Sequence, residues 1–241
     1  MTTWRTRALA ALGLISLTAC GPVPPAEPTA GAAPLPSVRS SAVSRVAPAR
    51  ITYPASGDQH WSIAAAGKKS PGLRYRIAVE SDIHGLDPDD FARQVSTTLA
   101  DPRSWGVPLR RVGPGQPYDF TIYLVTPGTR DVLCADQPDG YTSCRNGDRV
   151  VLNVARWVKG IPGYDLRTYR QYMVNHEVGH RLGHGHERCP GAGRPAPVMQ
   201  QQTLGLHGCT PNPWPYLDGE RYAGASGVYG DPVPPPDRGR K

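Results

Sequence analysis

The chain has 241 residues, 39% of them hydrophobic, and a formal net charge of +7. Of its 27 basic residues only four are Lys, and the arginines are scattered without basic runs or interleaved aromatics, which argues against a nucleic-acid surface. A chain of this length buries a core without relying on staples, and no apolar run reaches the roughly 20 residues that span a bilayer.

Arg5 and Arg7 precede an uncharged apolar run from Ala8 to Leu17, which is too short to span a membrane and reads as an export signal. The run ends in Leu17-Thr18-Ala19-Cys20-Gly21, which resembles a bacterial lipobox. That resemblance implies cleavage before Cys20 and lipidation of this cysteine, so residues 1–19 form a lipoprotein-type signal peptide. The protein is then expected on the outer face of the cytoplasmic membrane, or secreted if Cys20 carries no lipid. With the lipidated Cys20, the Pro-, Ala- and Ser-rich stretch up to residue 50 reads as a tether (20–50), because it has too little apolar surface to fold.

The folded domain is expected over residues 51–231. Leu73 to Glu80 alternates in character and predicts a strand. Asp87-Pro88 predicts an N-cap with Pro at the first helical position, and Phe91, Val95 and Leu99 mark one face of a helix running to about Ala100. Trp105 and Val107 fall in its exit loop. Leu109 to Val112 reads as a short strand and Tyr118 to Val125 as a stronger one, punctuated by Pro127-Gly128. The Cys134–Cys144 segment, rich in Asp, Gly and Pro, reads as a stapled loop, and a strand follows from Arg149 to Trp157. Asp165 is placed to cap a long helix from Leu166 to about Gly183. Gly- and Pro-rich loops run to about Pro215, a short helix is expected near Leu217 to Tyr222, and residues 232–241 read as a disordered tail. There is no internal repeat. The order predicts an α+β fold with helices on a mixed, twisted sheet.

Five cysteines are present. With Cys20 lipidated, Cys134, Cys144, Cys189 and Cys209 remain, an even number in a chain that enters an oxidising space. Proximity suggests the pairs Cys134–Cys144 and Cys189–Cys209, although sequence alone permits three pairings. No pair has the close spacing of a zinc knuckle.

The stretch HEVGHRLGHGHERC, residues 176–189, holds four of the seven histidines. His176 and His180 stand one turn apart on the predicted helix, so both imidazoles can reach one ion, and Glu177 leans to the side where a water would sit. His184 continues the same spacing. In an unbroken helix, however, it lies about 12 Å along the axis from His176, which is too far for ligands about 2 Å from a common centre. Gly183 allows the chain to turn, and the residue three further on, His186, can then swing back to the ion.

His176-Glu177-x-x-His180-x-x-Gly183-x-x-His186 resembles the extended signature of the metzincin zinc peptidases. The match covers roughly residues 166–201. The resemblance implies a zincin-like fold with a long active-site helix and an irregular, disulfide-tied C-terminal part. It also implies a Zn2+ cofactor on three histidines, a water activated by Glu177, and hydrolysis of peptide bonds in a peptide or protein substrate. Met199, in Pro197-Val198-Met199-Gln200, falls where that clan places its Met-turn. Where some members carry an extra tyrosine ligand, this chain has Gln201, so three histidines and a water are expected. Glu187 stands where the astacin-like branch uses a glutamate to support the Met-turn side. The chain is also similar to a family of exported actinobacterial proteins that carry this motif with no assigned substrate.

The Cys189–Cys209 pair would enclose Met199 and hold that turn. His60, His84 and His207 read as loop residues, and Tyr169, Met173 and Val174 as core contacts. Asn175 is read as orienting a neighbouring backbone group, and Trp105, Trp157 and Trp214 as packing residues. The partners expected are a peptide substrate and, through the lipid, a membrane. No nucleic acid is expected, and the chain reads as a monomer. A non-catalytic zinc-stabilised surface protein and an amidase acting on cell-wall peptides are the competing functions.

Overall fold

The computed structural model describes residues 49–241. The expected signal peptide, Cys20 and all but the last two residues of the expected tether lie outside the described residues. The elements follow in the order β1 (Trp61–Ile63), β2 (Leu73–Glu80), α1 (Pro88–Leu99), β3 (Leu109–Arg111), β4 (Phe120–Val125), α2 (Pro127–Cys134), β5 (Cys144–Asn146), β6 (Arg149–Asn153), α3 (Val154–Lys159), α4 (Leu166–Arg181), β7 (Tyr216–Leu217) and β8 (Glu220–Arg221). No helix among the described residues is long and apolar enough to cross a membrane.

The fold is α+β. The central sheet runs β1-β2-β4-β6-β5, with β3 beside the start of β2. β2, β4 and β6 are mutually parallel, whereas β1 and β5 are antiparallel to their neighbours, so the sheet is mixed. The period-2 alternation divides its faces. Ile77, Ile122, Leu124, Val150 and Leu152 enter one core with Phe91 and Val95 of α1 and Tyr169, Met173 and Val178 of α4. Val125 and Val151 turn the other way and pack with Leu133 and Cys134 of α2. Helices therefore cover both faces, and α4 lies against β5 and β6 on the larger core.

Strand β2 and helix α1 form where the sequence predicts them. The Asp87 carboxylate accepts from the Asp89 amide, and Pro88 opens the helix. Three expectations are corrected, and one helix is added where the sequence offers only the end of a strand. Pro127-Gly128 opens helix α2, because Pro at the first helical position forfeits only an amide that has no intrahelical partner. The strand from Arg149 stops at Asn153, whose side chain accepts from the Ala155 amide and caps α3, so Val154 to Trp157 are helical. Leu217 to Tyr222 is not a helix. Asp218 and Gly219 take φ of 52° and 82° and close the β7–β8 hairpin, the turn that Asp-Gly favours. Residues 232–241 dock on the domain instead of forming a free tail.

That docking has a specific chemistry. Tyr53 and Arg240 exchange backbone hydrogen bonds of 2.9 and 2.7 Å. Asp237 is 7% exposed in its side chain and lies between Lys159 and Arg156 of α3, accepting also from the Tyr53 hydroxyl. Pro236 abuts Gly140, where an added Cβ would come within 2.6 Å of the proline ring. Removing the carboxylate leaves two cations facing each other in a partly desolvated place. Asp237→Ala is therefore expected to lower stability by about 2 kcal/mol, seen as a shifted urea midpoint with unchanged slope.

Candidate metal centre

Asp165 caps α4 by accepting from the amide and hydroxyl of Thr168. Tyr169, Met173 and Val174 bury one face of the helix and fix its rotation. That rotation sets His176, Glu177 and His180 along the floor of a cleft of about 590 Å³. The helix ends at Arg181 with Leu182 as C-cap, and Gly183 follows at φ 96°. An added Cβ at Gly183 would meet nothing within 4 Å, so the left-handed backbone alone demands glycine there.

The turn at Gly183 returns His186 to the helix. The Nε2 atoms of His176 and His186 lie 3.2 and 3.1 Å from Nε2 of His180. Two nitrogens bound to one tetrahedral ion at about 2.0–2.1 Å stand ~3.3 Å apart. The other ring nitrogens decide what those contacts mean. Nδ1 of His176 lies 2.8 Å from the Val198 carbonyl, and Nδ1 of His180 lies 2.8 Å from the His184 carbonyl. A carbonyl only accepts, so both Nδ1 atoms carry the proton, and in the neutral rings both Nε2 atoms present lone pairs. Two lone pairs at 3.2 Å repel unless a cation sits between them.

Electrostatics keeps these rings neutral. Burial, followed by the other two imidazoles, holds His176 well below the ordinary histidine range. Burial also lowers His180, and burial with the neighbouring His180 pushes His186 down to about 4. Neutral imidazole is the form that binds a metal.

Glu177 is 5% exposed, and its Oε2 is buried without a protein hydrogen-bond partner. Burial pushes its carboxyl up to about 8, against the pull of Arg130 and with a further push from Asp136. A buried acid that borders a cleft and lacks a protein partner is suited to a proton-transfer role.

Met199 is fully buried. Its turn is closed by the Gln200 amide donating to the Pro197 carbonyl at 2.9 Å, and the Met199 carbonyl accepts from the Glu187 amide at 3.1 Å. Gly179 makes room on the helix, because a Cβ there would come within 2.5 Å of Met199 Sδ and closer still to the Trp105 ring. Met199 thus packs directly under α4, and the residue before it supplies the carbonyl that orients His176. Glu187 accepts from Arg221 at 2.7 Å, tying the hairpin to this segment.

The cysteines pair as expected. Cys189–Cys209 spans the segment that carries Met199, and Cys134–Cys144 joins α2 to β5. His184 stays outside the triad: its ring stacks on Trp105 at 4.2 Å, while its carbonyl orients His180. Asn175 is buried, accepts from the Ser104 hydroxyl and donates to the Pro213 carbonyl, and its own carbonyl accepts from Trp105. It anchors the α1 exit loop and the C-terminal segment behind the site. Trp157 and Trp214 are buried packing residues, and His207 stacks on Tyr229 away from the cleft.

Sequence reasoning misses Arg130. It is 1% exposed, forms a two-bond fork with Asp136, contacts Asp139 at 3.3 Å and donates to the Thr142 carbonyl and hydroxyl. It organises the 135–143 loop that roofs the cleft. The only advance signal is an arginine six to twelve residues from a group of Asp and Thr inside a disulfide loop.

The family comparison supplies the classification. The chain belongs to the DUF3152 family, described as "Protein of unknown function", whose model matches residues 48–212. No curated protein and no solved structure matches the chain.

Two outcomes follow from the packing under α4. Gly179→Ala is expected to cost about 1–3 kcal/mol and to weaken metal binding, read by thermal melts and competition with a chromophoric chelator. Replacing Cys189 and Cys209 with Ala is expected to weaken metal binding while far-UV circular dichroism is retained. Unchanged affinity would separate the bridge from the Met199 turn.

Proposed function

We propose that the cleft is the active site of a zinc-dependent peptidase of the metzincin type, exported and held at the cell envelope through a lipid on Cys20. The observation that carries this reading is the triad of Nε2 atoms, two of them fixed as acceptors by backbone carbonyls, beside a buried carboxylate with an unpartnered oxygen. The donor set fits zinc. It is three neutral imidazoles in a partly enclosed cleft, with no fourth protein ligand among the described residues, the pattern of a catalytic rather than a structural site.

His176, His180 and His186 would hold the ion, which supplies a Lewis acid that polarises a scissile carbonyl and acidifies a water. Glu177 takes the proton of the attacking water and delivers it to the departing amine. Burial keeps its carboxylate off bulk solvent beside the three histidines. The Val198 and His184 carbonyls hold two of the imidazoles in aim throughout. A merely structural zinc would have no use for a buried base at position 177.

The test compares wild type with Glu177→Gln, using metal analysis and a peptide library. One zinc per chain is expected in both, and cleavage only by wild type, with the variant slower by at least about 100-fold. His180→Ala is expected to lose the zinc. Zinc in both proteins with cleavage in neither would instead identify a zinc-stabilised binding protein. Cleavage of cell-wall fragments but not of the library would identify a wall amidase.

A further inference from the structure

We propose that Arg145 is a specificity residue of this cleft, selecting peptides that carry a carboxylate close to the scissile bond, whether an acidic side chain or a free chain end. The inference rests on the peptidase reading and names its substrate class.

Arg145 is the middle residue of β5, the outer strand of the sheet beside α4. Alternation fixes its direction. Its neighbours point to the α2 face: Cys144 is bridged to Cys134, and the Asn146 side-chain Nδ2 donates to the Leu133 carbonyl at 3.0 Å. Arg145 therefore points the opposite way, over α4, and it lines the cleft that holds the three histidines. It is exposed, so its guanidinium is open to a ligand.

The charge balance of the lining makes this residue distinctive. Two arginines and two aspartates face the cleft around Glu177. Asp136 and Asp139 are both held by Arg130, whose own donors are occupied by them and by Thr142. Among the described residues Arg145 has no carboxylate partner and no side-chain hydrogen bond, so it is the cationic side chain of the lining left free to pair. A guanidinium prefers a carboxylate, which it grips with two parallel N–H donors. The alternative occupant, a neutral peptide, leaves that fork facing water and gains nothing from it.

The experiment uses the zinc-loaded full-length protein carrying Glu177→Gln, so that binding is read without turnover. Fluorescence anisotropy compares peptides that differ only by Glu or Gln at each position flanking the scissile bond, and by a free or amidated C-terminus. The first pair reports a side-chain carboxylate and the second a terminal one. At least one charged member is expected to bind about tenfold tighter than its neutral twin. Adding Arg145→Gln is expected to abolish that ratio, and Arg145→Glu to invert it in favour of a Lys peptide. Because Arg145 is exposed, thermal melts should be unaltered in both variants. Equal binding of charged and neutral peptides, no measurable binding of any peptide, or a preference that survives Arg145→Gln would each overturn the proposal. Wild-type turnover separates it from the reading beneath it. Cleavage without charge preference leaves the peptidase standing and removes the role of Arg145. A preference lost with Arg145 but without cleavage supports the anion-selecting role and removes the peptidase.

Discussion

Two backbone carbonyls govern the candidate metal centre. Those of Val198 and His184 take the Nδ1 protons of His176 and His180, and this single constraint turns two imidazoles into paired lone-pair donors. Each carbonyl stands where it does because of a turn. Val198 lies in the turn closed between Pro197 and Gln200, and His184 lies just past the left-handed Gly183. The helix supplies spacing, but the loops supply tautomer and aim. A helix with the same histidines and different loops would present rings free to rotate and to hydrogen-bond one another.

Those loops are long and irregular, so something other than a backbone ladder has to hold them. Buried amide side chains do much of this. Gln202 donates to the carbonyls of Pro197 and Asn212 and accepts from the Tyr164 hydroxyl, and Asn212 donates to the carbonyls of Ala196 and Trp214. Each side chain satisfies backbone groups that a strand partner would otherwise pair, which makes it costly to replace by an apolar residue. The Cys189–Cys209 bridge and the Glu187–Arg221 ion pair close the same region from outside. The Met199 turn is thus held from the core side by polar lattices and from the solvent side by a covalent tie.

This division explains what was legible in the sequence. β2 and α1 are written in local alternation and capping, and α4 in its Asp165 cap, apolar face and terminal glycine. The triad follows, because helical spacing and one glycine turn are short-range facts. What was not legible depends on contacts distant in sequence. Asn153 ends a strand by capping a helix, and only the sheet register shows that the strand has finished there. Arg130, Gln202 and Asn212 are polar residues whose burial follows from loops folding around them, which no periodicity announces. The β7–β8 hairpin is a different case, because Asp218-Gly219 is itself a local turn signal that the expected helix near Leu217 to Tyr222 overlooks.

The floor and roof of the cleft differ in how they are built. The floor is one helix on a large apolar core, with Gly179 leaving no room for a Cβ between the helix and Met199. The roof is the 135–143 loop, a short segment pinned by Cys134–Cys144, by the buried Arg130 and, from behind, by Pro236 against Gly140. Docking of residues 232–241 therefore bears on the site as well as on stability, since Val233 of the same segment lines the cleft. Catalysis demands fixed ligands, whereas substrate choice is set by the side chains facing them from above. Here the fixed part is assembled from helix, core and turn. The part facing it rests on a stapled loop and one edge strand, so the selecting role proposed for Arg145 can be tested by substitution without disturbing the histidines below.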